Sequence, residues 1–193
     1  MVVSRASRGE QLSSRGRALE LGVVLFLASE LMFFAAWFAA YYDLRGHVEP
    51  WPPPDARLSL TEPTIGTAIL AASSVLVALA IGSLRKRRFG ATRTLLGCAI
   101  LGGVAFLSIA VHGWLGKTFS ISSSAYGSVF FSMTGFHALH VLAGIVLMVY
   151  LLAGATEPAF RGERAAGAEG IGYYWHFVFV VWLGIYATIY LER

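Results

Sequence analysis

Charge is scarce in this sequence, and cysteine is almost absent. Only 13% of its 193 residues are Asp, Glu, Lys or Arg, against 56% hydrophobic residues, a balance that excludes an ordinary soluble domain. The one cysteine, Cys98, lies inside an apolar run, so no disulfide can form within the chain and the thiol is expected to pack as a small apolar side chain. There is no Cys-x-x-Cys-His element for covalent haem and no glycine-rich nucleotide loop. No internal repeat and no inverted pair of broken helices is present, which argues against a secondary transporter. The basic residues behind a pI near 9.5 are split among short segments and not gathered on one face. They speak for membrane topology and against nucleic acid as a partner.

What the sequence does have is long apolar runs. Runs long enough to cross a bilayer lie near 18–42, 63–84, 94–115, 125–153 and 171–191, which predicts an all-α integral membrane protein with five transmembrane helices. Residues 1–17 are polar and arginine-rich with no small-residue cleavage site after the run that follows, so they read as a cytoplasmic lead-in to a single membrane domain over 18–193. Between the first two runs, Trp51-Pro52-Pro53-Pro54 cannot continue a helix and predicts an extended surface loop. Arg5, Arg8, Arg15, Arg17, Arg85, Lys86, Arg87, Arg88, Arg93, Arg161 and Arg164 fall on one side of the membrane, with Arg45, Arg57, Lys117 and Arg193 on the other. The positive-inside rule then puts the N-terminus in the cytoplasm and the C-terminus outside. Trp51, Trp114, Tyr126, Tyr173 and Tyr174 fall at expected interfaces, whereas Trp37, Trp175 and Trp182 lie deeper, as packing residues.

The polar residues inside these runs are the candidates for function. Glu30 sits mid-span and shares a helical face with Phe33, Phe34, Trp37 and Tyr41. An intramembrane acid is a functional candidate by default, and the competing reading is a neutral acid hydrogen-bonded to a neighbouring helix. His137 and His140 are three residues apart, so their rings share one face of the fourth run. That spacing suits one metal ion, yet no third ligand lies near in sequence, and hydrogen bonds that hold helices together in lipid are the favoured role. His176 lies in the last run, two turns beyond Glu169, which predicts an interfacial pair or a helix cap. His112, beside Trp114, reads as interfacial. No residue is expected to be catalytic or to ligate a metal or cofactor.

Several stretches together resemble subunit III of the haem–copper terminal oxidases. Ser29-Glu30-Leu31-Met32-Phe33-Phe34 resembles that family's acid-bearing helix. Ser124-Ala125-Tyr126-Gly127-Ser128-Val129-Phe130, leading into Thr134-Gly135-Phe136-His137-Ala138-Leu139-His140-Val141, resembles its signature helix. Glu169, then Tyr173-Tyr174-Trp175-His176-Phe177-Val178 and Val181-Trp182, resembles its last helix, and Trp51-Pro52-Pro53-Pro54 resembles a loop of the bacterial members. The order is that of the family throughout the chain after Arg17, in the short five-helix bacterial form.

The resemblance implies a non-redox subunit of the bacterial plasma membrane, packed against subunits I and II, which carry the haem and copper. It implies phospholipid as a bound partner, a role in stability and proton uptake, and membership of a complex that reduces oxygen and can join a larger respiratory supercomplex. Glu30, His137, His140, Glu169 and His176 carry over as intramembrane polar positions, none of them a metal ligand. The sequence departs from the family pattern at Phe179, where an acid is usual, and at Ala110 and Gly113, where a glutamine and a glutamate are usual. Gly66 stands where an asparagine is usual. Competing readings are a subunit III-like component of a nitric oxide reductase, a free-standing proton-coupled transporter and an assembly factor.

Overall fold

A computed structural model describes residues 3–54, 56, 58–154 and 163–192, with side chains from residue 18 onward and from residue 167 in the last helix. The described residues form helices α1 (Val3–His47), α2 (Thr61–Arg85), α3 (Phe89–Leu115), α4 (Ala125–Gly154) and α5 (Glu163–Tyr186), the last running into a π-helical turn over Ala187–Leu191. Five segments are long and apolar enough to span a membrane: Ala18–His47, Thr61–Arg85, Phe89–Leu115, Ala125–Gly154 and Gly167–Leu191. The chain is therefore an all-helical, multi-pass membrane protein. Of the residues that set the charge asymmetry, the side chains of Arg5, Arg8, Arg15, Arg17, Arg57, Arg161, Arg164 and Arg193 lie outside the described residues.

The helix ends follow local chemistry. Helix α2 opens with Glu62 and Pro63 in its first turn, where a carboxylate complements the helix dipole and proline costs no hydrogen bond. It ends at Arg85, and Arg87, two residues on, takes a left-handed φ of 57°. The Arg88 N–H donates to the Ser83 carbonyl at 3.0 Å and the Arg87 N–H to Leu84 at 2.9 Å, a Schellman closure that reverses the chain into α3.

Helices α2 and α3 form the most extensive pair, and α5 runs through the middle in contact with α1, α2 and α4. Helix α4 closes the bundle against α1 and α3. The loop before α2 is not extended as its prolines suggest. The Ala56 N–H turns back onto the Pro53 carbonyl at 2.9 Å, and Ala56 and Leu58 are buried. Trp51 anchors that loop, meeting Tyr41 and Tyr126 edge-on at 5.3 and 5.0 Å between ring centroids. Tyr126 and Tyr174, read from the sequence as interfacial, are buried within the bundle, each packed against a neighbouring segment. Cys98 faces outward from α3 and is not packed inside the chain.

Trp175 is the central packing residue, at 1% exposure. It fits only because α3 and α4 present glycines to it. A Cβ on Gly144 would lie 2.6 Å from Trp175 Cε3, and one on Gly103 would lie 2.9 Å from Trp175 Cη2. An indole so enclosed has no rotamer to escape into. Gly144→Ala is therefore expected to destabilise the bundle by about 1–3 kcal/mol, the usual cost of overpacking, measured by SDS-induced unfolding in mixed micelles.

Candidate functional site

Polar side chains meet at mid-depth, and each is delivered by a different helix. Glu30 is near the centre of the α1 span and His140 near the centre of α4. Glu30 Oε2 lies 2.8 Å from His140 Nε2, with both side chains about four-fifths covered at 21% and 17% exposure. The other ring nitrogen, His140 Nδ1, is 2.7 Å from the Phe136 carbonyl oxygen of its own helix. A carbonyl only accepts, so Nδ1 must carry a hydrogen. The short Nε2–Oε2 contact then holds one proton, either on the acid or on the ring. The pair is neutral overall in both cases, which is what a low-dielectric site demands.

Aromatic rings seal this pair. Phe34 meets His140 at 5.0 Å, Phe33 at 6.2 Å, and Phe33 in turn packs edge-on against Phe136 at 5.2 Å. These are the aromatic neighbours of Glu30 on α1 that its helical spacing singles out. The Tyr174 hydroxyl of α5 donates to the His140 carbonyl at 3.0 Å, tying a third helix to the same point.

His137 goes elsewhere. One turn before His140, its ring is stacked by Trp182 of α5 at 5.1 Å and met edge-on by Phe106 of α3 at 5.7 Å and by Phe34 of α1 at 6.5 Å. The two histidines share a face of α4 but do not converge on one point. Both His140 nitrogens are engaged, and among the described residues no three of His, Cys, Asp and Glu gather closely enough to hold a metal ion.

His176 and Glu169 do not pair with each other. Seven residues of helix separate them by roughly 10 Å along the axis, and each reaches across to α2. His176 Nδ1 lies 2.5 Å from Ser74 Oγ. Arg85 donates from Nε to Glu169 Oε1 at 3.0 Å, with its Nη2 at 2.9 Å from the same oxygen. Further along the α2–α5 seam the Trp182 Nε1–H donates to Thr67 Oγ1 at 2.8 Å, and Thr64 Oγ1 lies 2.7 Å from the Tyr186 hydroxyl. Sequence reasoning missed Ser74, Thr67 and Thr64 as partners. Their signal was there in hydroxyl residues embedded in an apolar run, which in lipid ask for an acceptor or donor on another helix. His112 is 80% exposed at its side chain, 3.8 Å from Glu62. Nearby, burial lowers the pKa of Lys117 in the α3–α4 loop, and the Glu62 carboxylate opposes that shift.

A sequence profile described as cytochrome c oxidase subunit III matches residues 2–192. The chain belongs to that family. It is 37% identical over 187 residues to a probable cytochrome c oxidase subunit 3 of Nocardia farcinica, covering 93% of this chain and 91% of the relative. Cytochrome c oxidase subunit 3 of Corynebacterium diphtheriae is 36% identical, over 92% of this chain and 89% of its own length. The subunit 3 of Petromyzon marinus is 34% identical, over 94% of this chain and 72% of its own length.

Within the subunit III frame, the departures at Gly66, Ala110 and Gly113 turn out to be neighbours, since all three line one cavity that reaches His137. Phe179 is partly buried against the core of the bundle.

The Glu30–His140 contact is expected to show energetic coupling. Glu30→Ala and His140→Ala each leave a polar partner unpaired and should cost about 1–3 kcal/mol. The double variant should cost less than the sum by about 0.6–1.7 kcal/mol, the range for intramembrane hydrogen bonds, in an SDS-unfolding double-mutant cycle.

Proposed function

We propose that this chain is a non-redox accessory subunit of a respiratory haem–copper oxidase, a cytochrome c oxidase that reduces oxygen to water with proton translocation. The observation that carries this reading is the subunit III match over residues 2–192, supported by relatives named cytochrome c oxidase subunit 3. In this reading the chain sits in the bacterial plasma membrane with its N-terminus cytoplasmic. Its partners are subunits I and II, which carry the haem and copper, together with phospholipid.

The interior supports a scaffold role. Several of its polar groups are spent on each other: Glu30 with His140, His176 with Ser74, Glu169 with Arg85. Helix α1 leaves a broad apolar face uncovered, with Met32 at 71% and Leu25 at 62% exposure, which suits a neighbouring subunit or lipid. A groove of about 550 Å³ between α3 and α4, lined by Leu107, Val111, Phe131, Phe136, Leu139 and Leu142, suits an acyl chain. The single proton held between Glu30 and His140 is a local buffer. The pair is neutral while it holds its one proton, so a proton passed from it to the partner would leave a carboxylate charge until the next proton replaces it. Buffering of this kind is how this chain would support proton uptake by its partner.

Purification of the tagged chain in mild detergent tests the assignment. Oxidase subunits I and II should accompany it at fixed stoichiometry, with haem and copper bands in the reduced-minus-oxidised spectrum. Nitric oxide reductase partners would transfer the chain to that complex, and a lone colourless protein would overturn the subunit reading. Glu30→Gln keeps a donor for His140 Nε2 but removes the acidic proton. The Gln variant is expected to assemble normally and to inactivate sooner during sustained turnover. Inactivation at the parent's rate would remove the proposed buffering role of the acid.

A further inference from the structure

His137 is 1% exposed, and neither ring nitrogen has a hydrogen-bond partner among the described residues. Its closest neighbours are ring faces and edges from Trp182, Phe106 and Phe34, none of which can accept from an N–H as a lone pair does or donate to a ring nitrogen. The Trp182 N–H is already given to Thr67. A neutral imidazole needs one donor and one acceptor, and the packed protein around it supplies neither.

Space beside the ring offers both. A narrow cavity of about 30 Å³ is lined by His137 and Thr134 and runs to Glu62 and Lys117 at the end of the bundle where α2 begins and α3 stops. Small residues keep it open. A Cβ on Gly113 would come within 3.2 Å of Glu62 Oε2, and one on Gly66 within 3.3 Å of Phe106 Cδ2. Thr134 donates its hydroxyl hydrogen to the Phe130 carbonyl at 2.7 Å, which leaves its oxygen able to accept. A bound water needs about 10–15 Å³ and two to four polar partners, so the room and the side chains match about two waters. An apolar guest would leave the imidazole unpaired.

We propose that this cavity is a binding site for ordered water that partners His137 and connects it to the aqueous phase at the Glu62 end of the bundle. The ring N–H of a residue with almost no surface then exchanges its proton with solvent. The inference concerns this chain's own packing and holds whether its partners are those of an oxidase or of another complex.

Hydroxyl-radical footprinting by X-ray radiolysis, read by mass spectrometry on the complex purified through this chain, tests it. Radicals formed from bound water modify the side chains that touch that water. Trp182 and Trp175 are the same residue type on the same helix and nearly equally buried, at 5% and 1%, yet only Trp182 lines the cavity. Trp182 should be oxidised several-fold faster than Trp175. Ala110→Leu, which fills the cavity from α3, should bring Trp182 down to the Trp175 rate, and Gly113→Ala is a milder filling variant should the first fail to assemble. Equal, slow oxidation of both tryptophans in the parent would overturn the proposal. So would a Trp182 rate unchanged by filling in a variant that still assembles.

Discussion

Polar side chains inside a bilayer see little bulk water, so a partner on another helix is worth having and decides which helices must meet. That constraint organises this bundle around α5. From one end to the other, α5 meets α2 through Glu169–Arg85, His176–Ser74, Trp182–Thr67 and Tyr186–Thr64. The order of the α2 partners runs backwards, as it must for antiparallel neighbours. Four contacts in register along one seam fix both the rotation and the vertical position of α5, which apolar packing against lipid-like neighbours would leave loose. With α5 so placed, Trp175 arrives opposite Gly103 and Gly144, and its indole closes the centre of the bundle.

The Glu30–His140 pair meets the same constraint with ionisable groups. Its geometry is set from both ends, by the Phe136 carbonyl behind the ring and by the Tyr174 hydroxyl on the His140 carbonyl. Because Nδ1 is committed as a donor, only one proton lies between acid and ring, and its position changes without changing the net charge. A lone carboxylate or a lone imidazolium at this depth would each cost far more. The aromatic wall of Phe33, Phe34 and Phe136 therefore surrounds a neutral unit and not a buried ion.

Much of this was legible from residue order. Apolar run length predicts five long helices, because hydrocarbon thickness dictates it, and five are present among the described residues, though α3 begins earlier than its run, at Phe89. The burial of Trp175 and Trp182 followed from their depth. What could not be read was which helix each polar group would face. Glu169 and His176 share a face of α5, and that face points at α2, so they act in parallel and not on each other. His137 and His140 share a face of α4 and both touch Phe34, but one turn of helix sends His137 to Trp182 and His140 to Glu30. The proline loop misled for a related reason: proline forbids helix and says nothing about whether the segment turns back, as it does to bury Ala56 and Leu58.

The two ends of the chain are held by different means, and that difference bears on how the protein fits among partners. Helix α5 is buried on most sides. Among the described residues, helix α1 packs mainly on α4 and α5 and leaves Leu21, Val24, Leu25 and Met32 exposed. In water, such an apolar face would by itself drive docking; in lipid it drives nothing, since acyl chains are equally good neighbours. Helix α1 must therefore be kept in place by polar anchors. It has one at mid-depth, Glu30 on His140, and one at the bundle end, where Tyr42 donates to Glu192 at 2.9 Å and Arg45 Nη1 lies 3.3 Å from the same carboxylate oxygen. Two anchors along one helix fix its tilt while leaving its outer face free. A buried acid placed there accordingly pins the helix that has least packing of its own, on the side of the molecule most open to a neighbour.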